Sequence, residues 1–112
     1  MNTMTLQGLT YAGTFYVDSG QAMVGDPCYL NEWETWAEGT PFEHEKNKGQ
    51  YSYLGACGTT LNENFGELGH GQAVVFSTGY GDGAYPVYVK LNDDNRVTKV
   101  VIDFEGDVDP DE

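Results

Sequence analysis

The sequence predicts a mainly β protein. It reads as a single compact antiparallel sheet domain of five or six strands, a sandwich, open barrel or helix-covered sheet, with one short helix. Three observations predict it. Apolar and polar residues alternate at period two through Leu9–Val17, Ala73–Thr78, Tyr85–Leu91 and Arg96–Phe104. The 15 glycines are spread as turn punctuation instead of forming a low-complexity block. Short connections favour antiparallel pairing, and no strand–helix–strand spacing of the parallel kind occurs.

The elements follow in order. Leu9–Val17 places Leu9, Tyr11, Phe15 and Val17 on one face. Asp18-Ser19-Gly20-Gln21 reads as a tight turn, and Gln21–Gly25 as the returning strand of a hairpin. Asp26-Pro27 stops that strand, because proline cannot donate to a ladder. Asn31–Glu38 is the predicted helix, with Asn31 as N-cap and Glu34 three residues on. Leu30, Trp33 and Ala37 share one face, and Gly39 and Pro41 stop it. Thr40–Gly49 reads as a polar loop, Tyr51–Cys57 as a strand and Asn62–Gly71 as a loop. Ala73–Thr78, Tyr85–Leu91 and Arg96–Phe104 are the strongest strands. Asn92-Asp93-Asp94-Asn95 joins the last two as a four-residue hairpin loop. Val97, Val100, Val101 and Ile102 lie on both faces of the final strand, which predicts a central position for it. The domain is expected over 1–106, with 107–112 a frayed acidic tail.

Charge is distributed unevenly. Residues 1–45 hold seven acids and no Lys or Arg, residues 46–102 are balanced, and residues 103–112 hold six acids. These sectors carry -7, 0 and -6 of the formal -13. Such a surface repels phosphate backbones, which argues against direct nucleic-acid binding and for a basic protein partner. No membrane span and no secretory signal are read from the chain, and the expected location is cytoplasmic, the host cytoplasm if the source is viral. Cys28 and Cys57 are too few for a disulfide framework and read as two reduced thiols, with a single bridge between them as the alternative.

Two stretches carry the candidate ligand site. Gly79-Tyr80-Gly81-Asp82-Gly83-Ala84-Tyr85-Pro86 brings alternating glycines after a strand, but the strand that follows excludes a nucleotide-type phosphate cradle, which needs a helix there. It reads either as a wide hairpin connection stiffened by Pro86, or as a ligand turn with Tyr80, Asp82 and Tyr85. Gly25-Asp26-Pro27-Cys28-Tyr29 reads either as a capped turn or as a place where Asp26 joins Asp82 at a ligand. His70 completes this set. Glu32, Glu34, Glu38 and Trp36 form the candidate partner surface on the predicted helix. No catalytic set, cofactor loop or metal set emerges: Asp107-x-Asp109-x-Asp111-Glu112 lacks the glycine and closing glutamate of a calcium loop.

The Val17–Tyr29 and Gly79–Tyr88 stretches, with Val100–Phe104, resemble small uncharacterised bacterial and bacteriophage proteins sharing GDP-x-Y and GYGDG-x-YPVY elements. That resemblance implies a setting and no activity. The expected function is non-enzymatic binding of an unspecified partner or ligand. Two alternatives stand beside it: an acidic inhibitor that mimics nucleic-acid charge against a host enzyme, and a small hydrolase or metal-dependent enzyme using Asp26 and Asp82.

Overall fold

The computed structural model describes residues 8–35 and 39–108, with only the backbone of His44 and Glu45. The described chain is mainly β, with six strands in two three-stranded antiparallel sheets and one α-helix longer than a single turn. The strands are β1 (Leu9–Val17), β2 (Gln21–Gly25), β3 (Phe65–Leu68), β4 (Ala73–Ser77), β5 (Gly83–Leu91) and β6 (Val97–Ile102). The helices are α1 (His44–Asn47) and α2 (Tyr53–Glu63), with a 3-10 helix at Pro27–Glu32. The chain divides into two compact units, one of Met1–Asp18 with Gly79–Glu112 and one of Ser19–Thr78.

In the discontinuous unit the strand order is β1-β5-β6. Tyr85 lies at its centre, 7% exposed, with its ring 5.0 Å from Phe104 and 6.4 Å from Phe15. The Asn92–Asn95 hairpin forms as the sequence indicates, with the Asn92 side chain accepting from the amides of Asp94 and Arg96. The last strand is not central: β6 is an edge, and β5 takes the middle. Its apolar residues are not evidence of burial, since Val97 and Val100 are 56% and 60% exposed.

Beyond β6, Asp103 organises the chain. Its carboxylate accepts from the amides of Glu105, Gly106 and Val108 at 3.0, 2.9 and 2.8 Å. Burial pushes this carboxyl up, but those amides, with that of Asp107, outweigh it and hold it below its ordinary value. Residues 109–112 lie outside the described residues.

In the Ser19–Thr78 unit the order is β2-β4-β3, and α2 packs over β3 and β4. Leu68, Val75, Ala73, Ala56 and Tyr51 form the core, with Trp33 against it. The Trp33 and Tyr51 rings meet edge to face at 5.2 Å.

Several elements differ from the sequence reading, each for a physical reason. β1 and β2 are not a hairpin: β1 pairs with β5 and β2 with β4. The Gly79–Tyr88 stretch is likewise no hairpin connection, because it leads from β4 into a strand of the other sheet. The predicted helix at Asn31–Glu38 is displaced. Asp26 is the cap, accepting from the Cys28 amide at 2.9 Å, with Pro27 opening a 3-10 turn that Trp33 ends in extended backbone. Trp36–Glu38 lie outside the described residues.

Tyr51–Cys57 is not a strand, since most of it enters α2. Ser52 caps that helix by accepting from the Gly55 amide at 2.9 Å. Thr40–Gly49 contains the single turn α1, and Asn62–Gly71 contains the end of α2 and all of β3. Asn64, at φ 70, reverses the chain between them.

Candidate functional site

A concave apolar feature lies between β2 and α2. On β4, Ala73 and Val75 are buried while Val74 is exposed, so the inner face carries the odd-numbered residues. The register places Gln21 opposite Ser77 and Met23 opposite Val75, on that same inner face. Gln21 spans the gap to the helix: its Nε2 donates to Cys57 Sγ at 3.3 Å, and its Oε1 accepts from Thr60 Oγ1 at 2.9 Å.

This polar strut satisfies both ends of a half-buried amide and ties β2 to α2. Beside it is a partly open cavity of about 160 Å³, walled by Met23, Trp33, Tyr53, Ala56 and Val75, with Ser19 and Gln21 at its polar end. A dry apolar cavity of about 150 Å³ holds a benzene-sized group. The space therefore matches one ring or one branched aliphatic side chain. Its polar groups supply orientation and no charge.

A second hollow, about 210 Å³, is polar and lies between Glu34, Thr40, Asn47, Gln50 and Ser52. Its side-chain amides are engaged locally: Asn47 Oδ1 accepts from the Glu43 main-chain amide, and Asn47 Nδ2 donates to Gln50 Oε1.

The sequence-predicted site residues fall elsewhere. Asp26 belongs to the Ser19–Thr78 unit, and its carboxylate is used as the cap of the 3-10 helix. Tyr80, Asp82 and Tyr85 belong to the other unit. Tyr80 is 67% exposed and Asp82 is exposed on the connection after Gly79. Tyr85 turns inward, and its hydroxyl donates to the Gly81 carbonyl at 2.7 Å, closing that connection on itself. Gly79 and Gly81 take φ 81 and 84, the left-handed region in which glycine carries no penalty.

His70 is exposed in the turn between β3 and β4. Glu32 accepts from Gln72 Nε2 at 3.0 Å, and Glu34 bridges to Ser52. Trp36 and Glu38, the rest of the candidate partner surface, lie outside the described residues. Cys28 is an exposed free thiol and Cys57 a half-buried one. Among the described residues, no group of three or more His, Cys, Asp or Glu is placed to hold a metal, and no helix is long and apolar enough to cross a membrane.

Sequence reasoning missed Gln21, Met23, Tyr53, Ala56 and Val75 as a set. One signal was available: an amide at an inward position of a short strand must find partners across the core.

Comparison with known proteins is consistent with an uncharacterised family. A family model described as "Protein of unknown function (DUF4241)" matches residues 2–102. No curated protein and no solved structure matches the chain.

Proposed function

The chain belongs to that family of unknown function, and from this premise we propose that it is a small acidic binding protein whose binding site is the cavity between β2 and α2. One observation carries the reading: Gln21 props the edge strand against the helix, and the apolar walls beside it are left unfilled. Cores are normally packed with few voids larger than a water molecule. An apolar hollow open at its rim is the ordinary form of a ligand site, here scaled to a single ring. The bacterial or phage setting read from the GDP-x-Y and GYGDG-x-YPVY elements, and work in the cytoplasm, belong to the same proposal.

Indole and toluene are the test ligands. Titration should shift the Met23 ε-methyl and Val75 methyl resonances in ¹³C spectra, with saturation. Filling the hollow by Ala56→Leu, or from its rim by Met23→Phe, should abolish the shift of the Val75 methyls while circular dichroism stays unchanged. Absence of any shift at saturating indole refutes the site, as does a shift that survives both fillings.

A further inference from the structure

The ladder of the β2-β4-β3 sheet shows what lies beside the cavity. The Thr78 amide donates to the Gly20 carbonyl at 3.1 Å, which makes Gly20 and Thr78 a hydrogen-bonded antiparallel pair. Steps of two along the register make Ala22–Phe76 and Val24–Val74 hydrogen-bonded pairs as well. The other side of β4 agrees, since the Ser77 amide donates to Asn64 beside β3. The N–H and C=O groups of Gln21, Met23 and Gly25 therefore turn away from β4. β2 is the edge of its sheet, so they face the open side. The Gln21 carbonyl accepts weakly from Ser19 Oγ at 3.4 Å, leaving Met23 at the middle of the unpaired row.

Met23 does two things. Its backbone is turned to the open edge, and its side chain walls the cavity. An incoming strand pairing with its N–H and C=O would place the residue opposite Met23 on the same face of the sheet, with Cβ atoms about 5.5 Å apart. A ring on that residue reaches the hollow. Main-chain bonds supply affinity and the pocket selects one side chain, which is the physical form of strand addition.

Charge selects the rest of the partner. The Ser19–Thr78 unit has eight acids against two bases, a formal -6. Both lysines have acidic partners, Lys46 with Glu43 and Lys48 with Glu63. Asp26 follows β2 directly, and Glu32 lies at the same end through its bond to Gln72, next to Ala73, the partner of Gly25. Both acids are exposed.

We propose that the free edge of β2 pairs with an extended segment of another protein that inserts one aromatic side chain into the cavity from between flanking lysines or arginines. The inference rests on the cavity being the binding site and adds the partner's chemistry to it.

The probe is the capped peptide Lys-Lys-Thr-Phe-Thr-Lys-Lys, added to the full chain. Three peptides serve as controls: one N-methylated at Phe, one with Gly for Phe, and one with Glu for every Lys. The parent peptide should bind, shift the Met23 amide and slow its hydrogen exchange. N-methylation removes the donor to the Met23 carbonyl and should weaken binding at least tenfold. The Gly and Glu peptides should show no saturable binding, and raising salt from 50 to 500 mM should weaken the parent severalfold.

Saturation by indole with no binding of the parent peptide overturns strand addition and leaves the cavity reading intact. Failure of both indole and peptide overturns both. Equal binding of the N-methylated, Gly or Glu peptide overturns the inference, because edge, pocket or charge is then not what recognises the partner.

Discussion

Replacing Asp103 by asparagine tests whether one carboxylate organises the chain after β6. The side chain is 6% exposed and holds three main-chain amides. Asparagine keeps the Oδ1 acceptor for Glu105 and Gly106 but loses the charge and the second oxygen, which receives Val108. A hydrogen bond to a charged group contributes about 1.5–3 kcal/mol, and an amide that water can reach recovers part of that. Glu105 and Gly106 are exposed, and Val108 is half-buried. The expected cost is about 1–2 kcal/mol for Asp103→Asn and about 3 kcal/mol for Asp103→Ala.

The pH dependence has a definite sign. The folded carboxyl lies below its ordinary 3.8, so the unfolded chain binds the proton more readily. The stabilisation is complete above the ordinary value and is lost as pH falls through the lower, folded one. Denaturant unfolding followed by circular dichroism, with exchange of the Val108 amide, measures this. The difference between wild type and Asp103→Asn should be constant from about pH 8 to about pH 5 and shrink below about pH 4. A variant as stable as wild type at pH 7, or a difference unchanged at about pH 2.5, refutes the reasoning.

The remaining predictions concern Gly55 and Glu105. Gly55→Ala adds a better helix former, yet its Cβ would stand 2.0 Å from the Gln50 carbonyl oxygen. The expected outcome is a loss of about 2–4 kcal/mol in chemical unfolding, and a gain of stability refutes the contact. The hydrogen bond and charge of Asp107 hold the Glu105 carboxyl above its ordinary value, so its ionised form is disfavoured in the folded chain. Glu105→Gln should raise the melting temperature slightly at pH 7 and not at pH 3; a lower value at pH 7 contradicts it.

What the sequence showed and what it hid separate along one line. Patterns contained in a few consecutive residues were legible: the alternation of Ala73–Thr78 and Tyr85–Leu91, which make up most of β4 and β5, the Asn92–Asn95 loop, and Asp26 as a cap. Partners far along the chain were not. Asp18-Ser19-Gly20-Gln21 has the composition of a hairpin turn, but nothing local says that β1 passes β2 over for β5.

The helix shows the same limit. Gly55, Gly58, Thr59 and Thr60 give α2 poor intrinsic propensity. It forms because tertiary contacts reward it: Gly55 lets the Gln50 backbone approach, and Thr59 donates to the Gly55 carbonyl while accepting from the Gly49 amide. The acid-rich Asn31–Glu34 stretch leaves the helical path at Trp33 because tertiary contacts reward extended backbone there: Trp33 packs on Tyr51, and the Glu34 backbone bonds to Tyr51 and Tyr53. The cavity was invisible for a related reason, since five residues from four separated segments wall it and only Trp33 drew notice alone.

The bond between Thr78 and Gly20 bears on chain entropy. Strand β1 must find β5 across an intervening stretch of roughly 60 residues. Closing a flexible loop of that length costs about 3–4 kcal/mol. The Ser19–Thr78 unit joins its own two ends, because the Thr78 amide and hydroxyl both donate to the carbonyl of Gly20, its second residue. Once that unit is folded, Val17 and Gly83 are separated by a few residues of effective contour, and their pairing faces the closure cost of an ordinary short turn. The Ser19–Thr78 unit thus serves the β1-β5-β6 sheet as a long loop of small closure cost, and its length can vary with little penalty as long as its ends stay joined.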